Sequence, residues 1–318
     1  MADVKYKQVV TSDLMNWFEA FLIDRRSTRL SKKTVEFYKY GLSRFLKYCT
    51  LNGIQEVEEI TATIIRKYLL FLEDEGYTPG GIHCKWRAIR CFFNWYEIEN
   101  IQEGWRNPIR NIKVKSPRIE PLEPADIVAV KAILRTCSQK LGDSHWQSRY
   151  QILNVRDKAI ILMLLDTGLR ASELLALTLD NINPITGVIQ VVHGKGGKSR
   201  TVYIGRKTRQ HLRRYLKLVD KKIENSQIFI NHKEQPLTVN GLNQMLAERA
   251  KIAGVKKQSP HAFRRLFALT MLRNGVDIYS LQLLMGHADL QVLKRYLKLT
   301  QTDTLEAHIR GGPVDRLI

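Results

Sequence analysis

The sequence predicts a mainly α-helical protein of two domains: a four-helix N-terminal domain, then a mostly helical C-terminal domain carrying a small antiparallel sheet. Three observations predict it. Apolar residues recur at helical spacing through most of the chain, β-branched runs concentrate around Ile185–Ile204, and the Pro-rich stretch Lys113–Pro124 divides the whole. At 318 residues the chain exceeds one ordinary compact domain and suits two. With 44% hydrophobic and 26% charged residues it can bury real cores, which sets it apart from disordered sequences.

Residues 12–26 open on Ser12-Asp13, a good N-cap, and carry Leu14, Trp17, Phe18, Phe21 and Leu22 on one face. Residues 31–49 repeat the logic, with Ser31 as cap and Val35, Tyr38, Leu42, Phe45 and Leu46 as the stripe. Thr61–Glu75 and Gly81–Glu97 follow, separated by the turn Gly76-Tyr77-Thr78-Pro79-Gly80. On the last helix Lys85, Arg87 and Arg90 fall on or near one side, opposite Cys84, Ile89 and Phe92. Such a face is either simply solvated or tracks phosphates. Pro117, Pro121 and Pro124 then forbid a continuous helix and favour an extended connector. The expected boundaries are a helical domain over 1–112, a linker over 113–124, a second domain over 125–300 and a tail over 301–318.

In the second domain, helices are expected at 125–137, 155–166, 171–177, 207–219, 238–253, 260–274, 277–285 and around 291–298. Ile185–His193 and Arg200–Ile204 flank Gly194-Lys195-Gly196-Gly197-Lys198-Ser199 and read as a hairpin, with Ile228-Phe229-Ile230 as a third short strand. Residues 138–154 read as an extension of the link between two helices.

Lys plus Arg number 51 against 31 Asp plus Glu, a formal charge of +20. Both halves are basic, the second more so, and a polyanionic partner is implied. Phosphate backbone fits best, because each neutralised phosphate releases a counterion. A bilayer is excluded: the longest apolar run, Ala159–Leu165, is seven residues, far short of a span. Met1-Ala2-Asp3-Val4-Lys5 lacks the apolar stretch of a signal peptide, so a cytoplasmic location is expected. Cys49, Cys84, Cys91 and Cys137 have neither paired metal-ligand spacing nor disulfide density, and read as reduced, mostly buried thiols.

Gly197-Lys198-Ser199 mimics the end of a phosphate loop, yet Val192 stands where that loop needs a glycine, and a strand-like run follows where it needs a helix. Nucleotide binding is rejected. The tip is either inert or lifts Lys195 or Lys198 into a phosphate site. Arg170, after Asp166-Thr167-Gly168-Leu169, sits at a helix N-terminus suited to holding an anion. The alternative is an Arg170–Glu173 surface pair worth under about 1 kcal/mol. Glu173 can instead orient Arg170. His261-Ala262-Phe263-Arg264 follows Ser259-Pro260, an abrupt helix start, so His261 and Arg264 project the same way. Gly286-His287 ends the next helix and Tyr296 follows nine residues on. Each His or Tyr taken alone reads as structural. Their order does not.

Thr167-Gly168-Leu169-Arg170-x-Ser172-Glu173-Leu174, Gly194-Lys195-Gly196-x-Lys198, His261-Ala262-Phe263-Arg264, and Leu284-Met285-Gly286-His287 with Tyr296 behind it together resemble the tyrosine recombinase (phage integrase, Xer-like) family. The resemblance is detailed over about 125–300. It implies a SAM-like core-binding domain followed by a DNA breaking–rejoining catalytic domain. It implies site-specific recombination of double-stranded DNA through a 3′-phosphotyrosine, without cofactor, metal or ATP. Tyr296 would be the nucleophile, Arg170 and Arg264 the clamps on the phosphoryl oxygens, and Lys195 the general acid, with Lys198 as runner-up. His261 would assist proton removal from Tyr296, His287 would hydrogen-bond a phosphoryl oxygen, and Glu173 would orient Arg170. Lys85, Arg87, Arg90, Lys198 and Arg200 are the candidate DNA contacts. Strand exchange implies a homo-tetramer on DNA, a dimer at each site, passing through a four-way (Holliday) junction. The tail would dock on a neighbouring subunit, an accessory DNA-bending protein is a candidate partner, and the cytoplasmic location becomes nucleoid-associated.

The sequence departs from the family pattern at Leu266, where a small hydroxyl residue is frequent, at Leu297-Lys298-Leu299 after Tyr296, and at 138–154, a candidate contact to DNA or a neighbouring protomer. A mobile-element integrase is favoured over chromosome-dimer resolution. The competing readings are a type IB topoisomerase and a catalytically idle DNA-binding regulator. An RNA-binding module would need the stacking aromatics of an RNP motif, which are missing.

Overall fold

A computed structural model describes residues 13–100, 105–115, 123–138, 147–192, 199–219, 227–286 and 309. The chain forms two compact units, residues 1–119 and 120–318. In the first, α1 (Leu14–Ser27), α2 (Lys32–Leu51), α3 (Ala62–Asp74) and α4 (Pro79–Glu99) are each started by a side-chain cap: Asp13, Ser31, Thr61 and Thr78. Their apolar faces close on an aromatic core. Phe21 meets Phe92 edge-on at 5.7 Å, and Phe45 meets Tyr68 at 5.0 Å.

Two assignments on α4 are corrected. Cys84 is exposed rather than apolar-facing, and Lys85 is buried, at 4% exposure. The Lys85 ammonium sits 3.4 Å over the Tyr40 ring and donates to the Tyr40 carbonyl at 3.3 Å. A ring face and a carbonyl thus replace part of its water. Arg87 and Arg90 are exposed.

The second unit contains α5 (Ile127–Thr136), α6 (Gln147–Thr167), α7 (Ala171–Leu175), strands β1 (Val188–Val191) and β2 (Arg200–Tyr203), then α8 (Arg206–Val219), α9 (Val239–Ile252), α10 (Pro260–Arg273) and α11 (Ile278–Met285). The strands pair antiparallel, with Val188 opposite Tyr203 and Val191 opposite Arg200. The expected third strand does not join them. Ile228 donates instead to the Leu177 carbonyl, and Ile230 forms only an isolated bridge to Pro236. The segment 138–154 is likewise not all link, because α6 already begins at Gln147. Helix α6 runs through the core: Ala159, Ile160, Ile161, Met163 and Leu164 are fully buried. A buried network ties α6 to α9. Asp157 accepts from Arg156 at 2.6 Å and from Arg249 at 2.6 Å, while Arg156 also donates to the Ile230 carbonyl and Arg249 to Asn154. No helix among the described residues is long and apolar enough to cross a membrane.

Candidate active site

Helix α6 stops at Thr167, whose hydroxyl accepts from the Leu169 amide at 3.2 Å. Gly168 then takes a left-handed φ of +60°, and a Cβ there would lie 2.3 Å from the Phe267 ring on α10. Only glycine makes this turn under that ring. The turn delivers Arg170 to the start of α7, where its amide donates to Glu173 Oε2 at 2.9 Å and its Nη1 to Glu173 Oε1 at 2.7 Å. The Glu173 side chain is only 4% exposed, so this is no surface pair.

Arg200 completes the cluster from β2. It donates from Nη1 to Glu173 Oε1 at 3.0 Å, from Nη2 to Oε2 at 2.7 Å, and from Nε to the Leu284 carbonyl at 2.8 Å. Burial alone would raise the Glu173 pKa. Hydrogen bonds from Arg200 and from the Arg170 amide, with the positive charge of Arg200, override burial and hold it at about 2. The carboxylate is therefore ionised at any working pH. Arg200 was expected at DNA, but its guanidinium is spent on this carboxylate and on α11.

Arg264, from the first turn of α10, is 2% exposed and donates to the Gly168 and Met285 carbonyls. Arg170 Nη2 reaches the Gly286 carbonyl at 3.4 Å. Three guanidiniums thus converge on three successive carbonyls, Leu284, Met285 and Gly286, at the C-terminal end of α11. That end carries the negative pole of the helix and its unpaired carbonyls, so cations suit it. Gly286 has a left-handed φ of +62°, and a Cβ on it would lie 2.8 Å from Arg200 Nη1. The cluster therefore fixes where the chain leaves α11, one residue before His287.

His261 lies exposed on the same first turn of α10. Partial desolvation, then the charges of Arg264, Arg265 and Arg170, pull its pKa below the ordinary histidine value. Its imidazole is thereby biased toward the neutral, proton-accepting form. Asp166, a turn before Arg170, accepts from the Gly205 amide at 2.6 Å and so pins β2 to α6. Of the expected site residues, the structure brings Arg170, Glu173, Arg264 and His261 together. Lys195, Lys198, His287 and Tyr296 lie outside the described residues, as do the 291–298 helix and most of the tail. Arg200 faces the cluster instead of DNA, and the sequence carries the signal: it shares a strand face with buried Val202.

Comparison with known proteins is consistent along the chain. Residues 125–303 match the phage integrase family, and residues 17–103 match the phage integrase N-terminal SAM-like domain. The tyrosine recombinase XerD of Listeria innocua is 30% identical over 297 residues, covering 91% of this chain and 95% of that protein. The tyrosine recombinase XerA of Pyrococcus furiosus is 30% identical over 291 residues, covering 91% of each. Among solved structures, the XerH site-specific recombinase bound to palindromic difH substrate superimposes with a TM-score of 0.71 at 20% identity, over 91% of this chain and 82% of that one. The Tn1549 transposon integrase in complex with transposon right end DNA gives 0.68 at 19% identity, over 94% and 99%. At these identities the superpositions establish the shared fold.

Proposed function

The chain belongs to the phage integrase family, and from that premise we propose how its own residues carry out site-specific recombination of double-stranded DNA. The observation that carries the reading is the convergence of Arg170, Arg200 and Arg264 on the end of α11 that leads into His287. A pentavalent phosphorane needs charge relief on its non-bridging oxygens, and preorganised guanidiniums supply it without reorganisation. Arg170, its side chain 24% exposed, is the outward-facing clamp, and Arg264 is the inner one. Glu173 and Arg200 hold Arg170 in place.

The Tyr296 oxygen attacks phosphorus, forming a P–O(Tyr) bond as the bond to the 5′ oxygen breaks. Its proton passes to His261, and the departing 5′ oxygen takes one from Lys195. The product is a 3′-phosphotyrosine with a free 5′ hydroxyl. Attack by the 5′ hydroxyl of a partner strand reverses the chemistry and completes exchange without an external energy source. His287 hydrogen-bonds a phosphoryl oxygen. Residues 1–112 grip the duplex together with 125–300, the 113–124 segment connects them, and 301–318 docks on a neighbour within a tetramer. Arg87, Arg90 and Lys198 are the remaining candidate DNA contacts. A mobile-element role suits the chain better than chromosome-dimer resolution, supported by the tail after Tyr296 and by the part of the 138–154 departure that precedes α6.

The test is covalent trapping on nicked suicide duplexes cut from the source genome. Wild type should retain DNA through a 3′-phosphotyrosine, and Tyr296→Phe should bind the same duplexes without an adduct. An adduct that survives Tyr296→Phe would overturn the assignment.

A further inference from the structure

Helix α8 carries Arg206, Lys207, Arg209, Arg213, Arg214 and Lys217 and no acidic residue. Its buried residues, Thr208, Leu212, Tyr215, Leu216 and Val219, occupy one side. At 100° per residue, Arg206, Lys207, Arg213, Arg214 and Lys217 fall within an arc of about 120° on the opposite side. All five are exposed, and among the described residues none pairs with a carboxylate. Arg209 stands apart, donating to the Ile185 carbonyl. Other cations lie near: partial desolvation, then Lys158 and Arg214, push the His211 pKa down.

The stripe also has a direction. Helix α8 runs antiparallel to α6, with the Gly205 amide on Asp166 at its start and Val219 beside Ile152 and Leu153 at its end. Asp166 lies four residues before Arg170, so the stripe starts at the active-site end of α6 and leads away from it. At 1.5 Å per residue it extends about 16 Å, over which one strand of B-form DNA presents about five phosphates. The apolar face of α8 is spent inside the core, and the one large apolar residue the helix leaves exposed, Leu218, is too little to insert into a bilayer. Nor does Leu218, alone at the edge of the stripe, make the clustered aromatic anchor on which protein interfaces depend. What remains is a rigid row of cations matched to a phosphate backbone.

We propose that α8 binds a second stretch of duplex DNA, beyond the segment held at Arg170 and Arg264. This rests on the reading that the chain works on DNA, and is independent of which residues cut it. The test compares wild type with a variant carrying Lys207→Gln, Arg213→Gln, Arg214→Gln and Lys217→Gln. Affinity for mixed-sequence duplexes of about 20 and about 100 base pairs is followed as salt rises, since each phosphate contact adds about 0.9 to the slope of log affinity against log salt.

Wild type should show a steeper slope on the long duplex, which can reach both surfaces at once. In the variant, which keeps only Arg206 of the stripe, most of the difference between the two slopes should vanish, while its melting temperature and its adduct formation on the nicked suicide duplex stay at wild-type levels. Lys207→Gln with Lys217→Gln alone should remove about half the difference. A variant that keeps the wild-type difference, or a wild type that shows none, overturns the proposal. If wild type forms no adduct at all, the recombinase reading falls and the slope comparison still decides this one.

Discussion

Two places in the second unit use the same construction, one carboxylate between two guanidiniums, to different ends. At the α6–α9 junction Asp157 lies between Arg156 and Arg249, whose side chains are 8% and 11% exposed. Arg156 also donates to the Ile230 carbonyl and Arg249 to Asn154. At the candidate site Glu173 lies between Arg170 and Arg200, and Arg200 is as enclosed as its counterparts, at 10%. Arg170 differs, with 24% of its side chain open and only a long contact to the Gly286 carbonyl beyond the carboxylate. The first cluster is closed and can only hold helices together. The second is closed on one side and presents a guanidinium on the other. The charge count is the same in both, two guanidiniums on one carboxylate, but only at the candidate site does the surplus positive charge reach the surface, on Arg170, where it can pull on a phosphate.

The sharpest way to break the comparison is to remove one member from each cluster. Arg170→Ala should cut the rate of adduct formation by about a hundredfold to a thousandfold, the usual effect of losing one preorganised charge donor. Its melting temperature should move little, because the lost side chain was partly solvated. Asp157→Ala should do the reverse. Leaving Arg156 and Arg249 buried without their carboxylate should cost about 3–5 kcal/mol in stability, read from denaturant unfolding, while molecules that remain folded cleave normally. If Arg170→Ala unfolds the protein and Asp157→Ala does not, the division between the two clusters is wrong.

A smaller effect tests charge sharing. Arg200→Met leaves Arg170 and Glu173 as a neutral pair, and adduct formation should fall by about tenfold to a hundredfold, about 1.4–2.7 kcal/mol. Adding Glu173→Gln to Arg200→Met returns the net charge of the trio to that of wild type and should recover part of the loss. A cycle in which the double variant is no better than Arg200→Met would make Arg200 a packing residue only. Gly286→Ala should be milder still. Forcing a left-handed φ on alanine, with its Cβ against Arg200, should lower stability by about 1–2 kcal/mol. The adduct rate should drop with it, because the path into His287 shifts.

Much of this arrangement was legible in the sequence, and what escaped did so for identifiable reasons. The first four helices and the hairpin announced themselves through caps, apolar stripes and β-branched runs. The start of α6 did not, because a helix buried on nearly all sides has no stripe to mark its polar first turns. Ile228–Ile230 has strand composition, but tertiary partners, the Leu177 carbonyl and the Tyr215 hydroxyl, claim its amides. The charge of Lys85 points outward, but its spacing of four from Ile89 places it on the core face. Arg200 behaves in the same way, its strand alternation with Val202 pointing inward. In both cases position outweighed residue type. That Arg170, Glu173, Arg264 and His261 come together was legible because their order and spacing carried the resemblance, which did not depend on knowing what each side chain touches.

The most gradual expected effect is a dependence on pH. Glu173 is held at about 2, below its ordinary value of 4.5. A carboxylate depressed in the folded state stabilises that state fully above its unfolded value, and the stabilisation drains away as pH falls through the folded one. Wild type should therefore lose melting temperature between about pH 4.5 and pH 2, and part of that slope belongs to this one residue. In Glu173→Gln the group cannot titrate, so the variant should be less stable at neutral pH and its curve should approach that of wild type as acid protonates Glu173. A gap between the two curves that stays constant from neutral pH down to about 2 would mean that the Glu173 charge does not hold Arg170 and Arg200. The difference between the open and the closed cluster would then reduce to exposure alone.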